Sequence, residues 1–434
     1  MTLSSPIFMF LFIPALALCY FIAPQKFKIP ILLIFSLLFY IWGDGWLAFV
    51  LIGMIAVNYL LSLINNKVSL ISGIAFNVLV LAAFKYYTFI TGWQTELIIP
   101  LGLSFIVFTA IAYLIDVYRG EVLPNLLNVA FHLSFFPKIS SPIERYNHIV
   151  EQMPDRSVKI DRIASGIKKF IVGLSKKVLI ANILGITVDQ IFAIPIESLP
   201  TATAWLGIVC FTLQLYFDFS GYTDMAIGIG RIFGFELMEN FNYPYISRSI
   251  REFWRRWHIT LSKWLRDYLY IPLGGNRSHT IINLLVVFLI CGIWHGAAWT
   301  FVVWGLWHGL FMVIERKVKM PIILGNVYAL LVIMIGWVFF RASSLEYAFG
   351  YIGSMFGFGA DNAVYGVSAY VNLLLIVVIA AGIIGSLPVV PLLSKLSDRK
   401  GYAFVMVSIL LGLFALSLME VASGFYKPFL YGQF

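Results

Sequence analysis

The sequence predicts an all-α, polytopic integral membrane protein with about ten to twelve transmembrane or re-entrant helices. Three observations lead there. Hydrophobic residues make up 61% of the 434 and charged residues only 12%, whereas a soluble domain is roughly half apolar and a quarter charged. The apolar stretches are continuous and approach the roughly twenty residues that a helix needs to cross a bilayer. None shows the apolar/polar alternation over about ten residues that a barrel strand requires. In lipid each backbone amide must bond within its own segment or a closed barrel, so continuous apolar runs mean helices.

In chain order the runs are Pro6–Ala23, Ile29–Phe49, Leu51–Ile64, Leu70–Phe84, Ile98–Ile115, Ala204–Phe219, Ile281–Ile293, Trp299–Val313, Ile322–Phe340, Val371–Leu387 and Tyr402–Leu418. Several fall short of a full crossing and suit tilted or re-entrant segments. The first is not expected to be a cleaved signal: no basic residue precedes it and no small-x-small site follows. Basic residues gather at Lys26 and Lys28, then at Lys159, Arg162, Lys168, Lys169, Lys176 and Lys177, and most densely from Arg248 to Arg277. The positive-inside rule assigns these to cytoplasmic loops, with the N-terminus outside. A net charge of +9 fits loops beside anionic lipid and needs no nucleic acid. Cys19, Cys210 and Cys291 are scattered in apolar settings, with neither disulfide nor metal-ligand spacing. The longest polar stretch, Ser140–Arg162, reads as a cytoplasmic loop. Neither a domain-separating linker nor a repeat is visible, so 1–434 reads as a single membrane domain.

Polar residues in apolar context concentrate between Gln214 and His308. Ser249–Tyr270 reads as one amphipathic helix. Ser249 and Glu252 form a capping box, and Phe253, Trp254, Trp257, Leu261, Trp264, Leu265 and Tyr268 recur at three- and four-residue steps. Such a helix belongs at the interface with its tryptophans at headgroup depth. It serves either as an anchor or as a basic ledge for a polyanionic ligand, since Arg pairs phosphate bidentately.

His295 sits in CGIWHGAAW between Gly292 and Gly296. Ionisable groups at membrane depth are costly and face a cavity or a partner. The glycines would let the backbone bend and a ligand approach, and a neutral imidazole could act as general base. A histidine that only bonds across helices explains the same residue equally well. His308 repeats the pattern thirteen residues on, about 220° around an unbroken helix, so the two would not share a face or a metal. Upstream, Gln214 and Asp218 share a helical face, with Tyr222 beyond. The carboxylate needs an Arg, a His or a tyrosine hydroxyl as partner, and it either lines a path or knots two helices. These residues alone leave transferase and transporter both open.

QLYFDFSGYTDMAIGIGRIFGFELMENFNYPY, SIREFWRRWHITLSKWLRDYLYIPLGGNR and GIWHGAAWTFVVWGLWHG together resemble the signature core, about 210–315, of the membrane-bound O-acyltransferase (MBOAT) superfamily. Within it they are most similar to the bacterial alginate O-acetylation branch, and SSPIFMFLFIP and IPLGLSFIVFTAIAYLIDVYRG extend the likeness. The resemblance implies the MBOAT fold, with helices around a central chamber in a bacterial inner membrane. It implies acetyl transfer from cytoplasmic acetyl-CoA towards an extracytoplasmic polysaccharide, without a metal. By analogy a periplasmic or cell-surface acetyltransferase or esterase-like partner is expected. The family's essential histidine falls on His295 and the branch's second histidine on His258. Arg255, Arg256, Lys263, Arg266 and Arg277 are suited to the donor phosphates, and Gln214, Asp218, Tyr222 and Trp294 to the acceptor chamber. The rival readings are a transporter or flippase for a lipid- or glycan-linked intermediate, and a scaffold of an export complex. Around FFPKISSPIERY the branch usually has Gly before Pro, where this chain has Ser141.

Overall fold

The computed structural model describes residues 2–93, 98–154, 158–318, 321–360, 363–389 and 401–424. Among them the secondary structure is helical, with no strand. Six helical stretches are long and apolar enough to cross a membrane: Gln25–Ile64, Lys67–Thr91, Ile160–Phe192, Thr201–Ile232, Ile323–Arg341 and Tyr402–Ala422. Phe8–Ile22, Leu103–Tyr118, Thr280–His295 and Leu373–Gly385 are shorter apolar helices. Large hydrophobic side chains cover outward faces, among them Ile22, Leu79, Ile323 and Phe404. Such surface belongs against lipid tails.

The described chain gathers into two compact units, residues 1–171 with 222–239, and residues 172–221 with 240–434. In the first, α1 (Phe8–Ile22), α2 (Lys28–Asp44), α3 (Ala48–Ile64), α4 (Lys67–Thr91) and α5 (Leu103–Tyr118) pack together. Asn58 and Asn77 exchange side-chain hydrogen bonds at 3.2 and 2.7 Å, and the Tyr113 hydroxyl meets Ser62 at 2.7 Å. Each pair satisfies polar groups that would otherwise be orphaned at membrane depth. The stretch from Ser140 is not a solvent loop at its start. Ser140, Ser141 and Glu144 are buried, and Glu144 accepts from the Met238 N–H at 2.5 Å while meeting His148 Nδ1 at 2.6 Å. Residues 155–157 of that stretch lie outside the described ones.

One long helix, Ile160–Phe192, has no counterpart among the apolar runs read from the sequence, and another, Thr201–Ile232, extends beyond its run. α6 (Leu126–Ser134) is short, but α7 spans Ile160–Phe192 and α8 spans Thr201–Ile232. Lys168, Lys169, Lys176 and Lys177 therefore lie on a helix and not in a loop. Within the second unit Lys177 donates to Asp218 at 2.6 Å; within the first, Lys169 pairs with Asp224 at 3.1 Å. Carboxylates that looked like the end of an apolar run are neutralised, so the helix continues through them.

In the second unit the amphipathic stretch is broken. α9 (Ile250–Arg256) ends at Trp257, His258 adopts φ 44°, and α10 (Ile259–Leu265) follows. Ser249 accepts from the Glu252 N–H at 3.0 Å as a cap should, but Glu252 turns back to the Arg248 N–H at 2.9 Å. The Glu315 carboxylate takes the next donors, from Ile250 and Arg251. Trp254, Trp257 and Trp264 are buried within the unit and do not face outward. They pack inward because other elements supply the apolar partners that lipid was expected to supply.

α11 (Thr280–His295) and α12 (Trp299–Lys317) form a tight antiparallel pair, followed by α13 (Ile322–Arg341). A Cβ on Gly292 would stand 2.3 Å from the Phe301 carbonyl oxygen, and one on Gly305 would stand 2.3 Å from that of Phe288. Gly296 is likewise filled, by the Phe301 ring. These glycines serve helix packing and leave no gap for a ligand, which corrects the sequence expectation. Small residues are what bring helix backbones together in lipid. Gly292→Ala should therefore cost about 1–3 kcal/mol by overpacking, read as a lower midpoint in a detergent thermal melt. Gly412→Ala, whose Cβ would meet nothing within 4 Å, should leave the midpoint unchanged.

Candidate active site

His295 is the last residue of α11 and is 2% exposed. Its ring is walled by Trp294 and Trp304, each with centroids at 4.8 Å, and by Phe340 at 5.4 Å. A cation formed on this imidazole would face aromatic rings and the negative end of the helix dipole. Trp294 also reaches the second histidine, at 6.3 Å from the His258 ring. The Phe219 ring meets His258 edge-on at 4.8 Å. Both histidines thus lie in one unit, with Trp294 in contact with each.

The neck between α9 and α10 holds His258 in place. Asn240 Oδ1 accepts from the Thr260 N–H at 3.0 Å and from its hydroxyl at 2.9 Å, and it lies 3.3 Å from His258 Nδ1. A backbone N–H can only donate, so the Asn240 atom facing this group is its oxygen. His258 must then donate from Nδ1, which leaves Nε2 as its acceptor nitrogen. His258 lies outside the apolar spans, and burial pushes its imidazole down to about 3. It is a neutral ring of defined tautomer. Asn240 gave no signal in the sequence; its role exists only because the chain turns at His258.

Gln214 and Asp218 are buried on α8, and Gln214 Oε1 has no hydrogen-bond partner among the described residues. Asp218 is held by Lys177, with both side chains almost fully enclosed. The sequence sought an Arg, a His or a tyrosine for this carboxylate and read Lys177 as a cytoplasmic charge. Tyr222 belongs to the first unit, where its hydroxyl accepts from the Ser140 N–H at 3.3 Å and donates to the Pro137 carbonyl at 3.4 Å. Among the basic candidates, Arg256 is paired with Glu252 at 2.9 Å and Arg266 with Asp267 at 2.7 Å. Arg255, Lys263 and Arg277 are exposed, with no ion-pair partner among the described residues. No group of three His, Cys, Asp or Glu side chains capable of holding a metal ion occurs among the described residues.

His308 departs from expectation. The turn at Gly296–Ala298 puts it on a different helix from His295, so the angle for an unbroken helix does not apply. Trp304 contacts both imidazoles, at 4.8 Å from His295 and 5.2 Å from His308.

One unit thus combines a buried histidine set among aromatic rings with exposed basic residues, in an all-helical and apolar fold. Residues 119–345 match the model of MBOAT, the membrane-bound O-acyltransferase family, and the chain belongs to that family, in its alginate O-acetylase-like branch. It is a multi-pass membrane acyltransferase. It is 40% identical to a protein of Azotobacter vinelandii named probable alginate O-acetylase, over 83% of this chain and 79% of the relative. A protein of the same name from Pseudomonas aeruginosa is 42% identical, over 83% and 75%. The peptidoglycan O-acetyltransferase of Helicobacter pylori is 38% identical, over 82% and 79%.

The buried Lys177–Asp218 pair yields a stability test. Lys177→Met should destabilise by about 3–5 kcal/mol, because it strands a buried carboxylate. Adding Asp218→Leu should recover most of that loss, measured as thermal midpoints in detergent.

Proposed function

We propose that this chain takes an acetyl group from acetyl-CoA on the cytoplasmic side of the bacterial inner membrane. The group is delivered for O-acetylation of an extracytoplasmic polysaccharide. The relatives named for alginate and for peptidoglycan O-acetylation act on polymers rich in sugar hydroxyls, and a hydroxyl is what a neutral imidazole can activate. The observation that carries this reading is the pair of buried histidines joined through Trp294. Its experiment is substitution of His295.

A His295 ring nitrogen takes the proton of the acceptor hydroxyl as its oxygen attacks the thioester carbonyl carbon. The C–O bond forms and the C–S bond breaks. The departing thiolate takes the proton from the imidazolium, and free coenzyme A leaves. While charged, the imidazolium lies among the Trp294, Trp304 and Phe340 rings, where cation–π attraction offsets lost hydration. His258, neutral and with Nε2 as acceptor, can orient the incoming hydroxyl. Gln214 and Asp218 of the same unit suit the acceptor side. The exposed cations Arg255, Lys263 and Arg277, with Arg256 and Arg266 after exchange of their carboxylates, suit the donor phosphates. By analogy with the family, a periplasmic or cell-surface acetyltransferase or esterase-like partner would carry the group onward to the polymer. On this reading residues 1–434 work as one membrane domain.

His295→Ala should lower coenzyme A release by about 10²–10⁴-fold in membranes supplied with acetyl-CoA and polysaccharide. Undiminished transfer in a folded, well-expressed variant would remove the histidine from the chemistry. Joint replacement of Arg255, Lys263 and Arg277 by Gln should raise KM for acetyl-CoA while kcat holds, as loss of uniform donor binding requires.

A further inference from the structure

Around His308, in contact with Trp304, lies a second aromatic box that the chemistry above does not use. His308 is fully buried at its centre. Phe253 and Trp254 of α9 stand 6.2 and 5.4 Å from it, Phe288 of α11 at 6.5 Å, Trp304 of α12 at 5.2 Å and Trp337 of α13 at 6.2 Å. Neither His308 nitrogen has a hydrogen-bond partner among the described residues, and neither do the indole N–H groups of Trp254, Trp304 and Trp337. A Cβ on Gly336 would stand 2.9 Å from His308 Nε2, so one nitrogen faces the bare backbone of α13.

This arrangement is costly. Buried polar atoms are nearly always paired, through protein or ordered water, and a phenylalanine would fill the same box with no polar atom to satisfy. Places where a sequence breaks a packing rule without local gain tend to be functional. Trp304 contacts both rings, its centroid 4.8 Å from that of His295 and 5.2 Å from that of His308.

We propose that His308 is a positioning residue for acyl transfer. Its imidazole, hydrogen-bonded through ordered water to the neighbouring indole N–H groups, fixes Trp304 in the orientation that meets His295. The role is to hold one wall of the His295 cage still while the imidazole gains and loses a proton; His308 itself touches no reacting atom. The proposal rests on the reading of His295 as the base.

The test uses the full-length protein in membranes with acetyl-CoA and alginate, reading coenzyme A release and the thermal midpoint together. His308→Phe keeps the ring and removes the nitrogens. It is expected to lower kcat about tenfold or more, leave KM for acetyl-CoA unchanged, and leave the midpoint the same or higher. His308→Gln, which restores hydrogen bonding, should recover to within about threefold. Trp304→Phe should lose as much as His308→Phe, and the double variant no more than either alone, because the two act as one unit. Wild-type kcat in His308→Phe, a parallel fall in midpoint and kcat, or additive losses in the double variant would each overturn it. His295→Ala separates the two claims: retained transfer there rejects the base, whereas its loss with an unaffected His308→Phe rejects only the positioning role.

Discussion

The close approach of α11 to α12 is the contact on which the rest of the site depends. Lipid tails are as apolar as the side chains they touch, so two helices gain little from hiding leucines from them. Association comes from packing, and packing improves as backbones approach. Gly292 and Gly305 allow that approach. The consequence runs forward along the chain: Phe301 seats against Gly296 and α12 returns at once with Trp304 beside the histidine that ended α11. A bulkier residue at either glycine would push the tryptophan off the imidazole. The aromatic cage around His295 is thus a by-product of helix packing, and its precision is that of two backbones in contact.

Around that pair, polar groups are handled one at a time. Asn58 bonds Asn77, Tyr113 bonds Ser62, and Asn240 serves three donors at the neck between α9 and α10. Asn240 does more than satisfy a turn. Because one of its donors is a backbone N–H, its amide cannot flip without breaking the start of α10, and the His258 tautomer is fixed with it. A local requirement of helix initiation decides which nitrogen of a distant-looking histidine can accept a proton.

Much of the architecture was legible because the bilayer leaves few options. Continuous apolar runs gave helices, Ser249 gave a cap, and His295 stood out as an ionisable group in apolar surroundings, whereas His258 was marked only by the family resemblance. What was not legible has a common cause. Lys177 looks like any base flanking a span, and only the pairing of α7 with α8 shows that it faces inward to Asp218. The amphipathic stretch showed helical spacing throughout, so its break at His258 left no periodic trace. The turn after His295 falls at Gly296, where the sequence allowed a bend without requiring one. An angle counted along one helix therefore does not describe how His295 and His308 lie. Periodicity reports which residues face together while a helix lasts and is silent on where it stops.

The Lys177–Asp218 contact also constrains how such a chain can change over generations. With both side chains sealed from solvent, a neutral replacement of one leaves a lone charge in a medium that cannot solvate it. The route from an ionic to an apolar contact therefore passes through an intermediate less stable than either end. Among homologues the two positions should be inherited as a couple, charged together or uncharged together, and sequences carrying only one of the charges should be scarce. An ion pair that contributes little net stability can persist in this way because it is hard to leave.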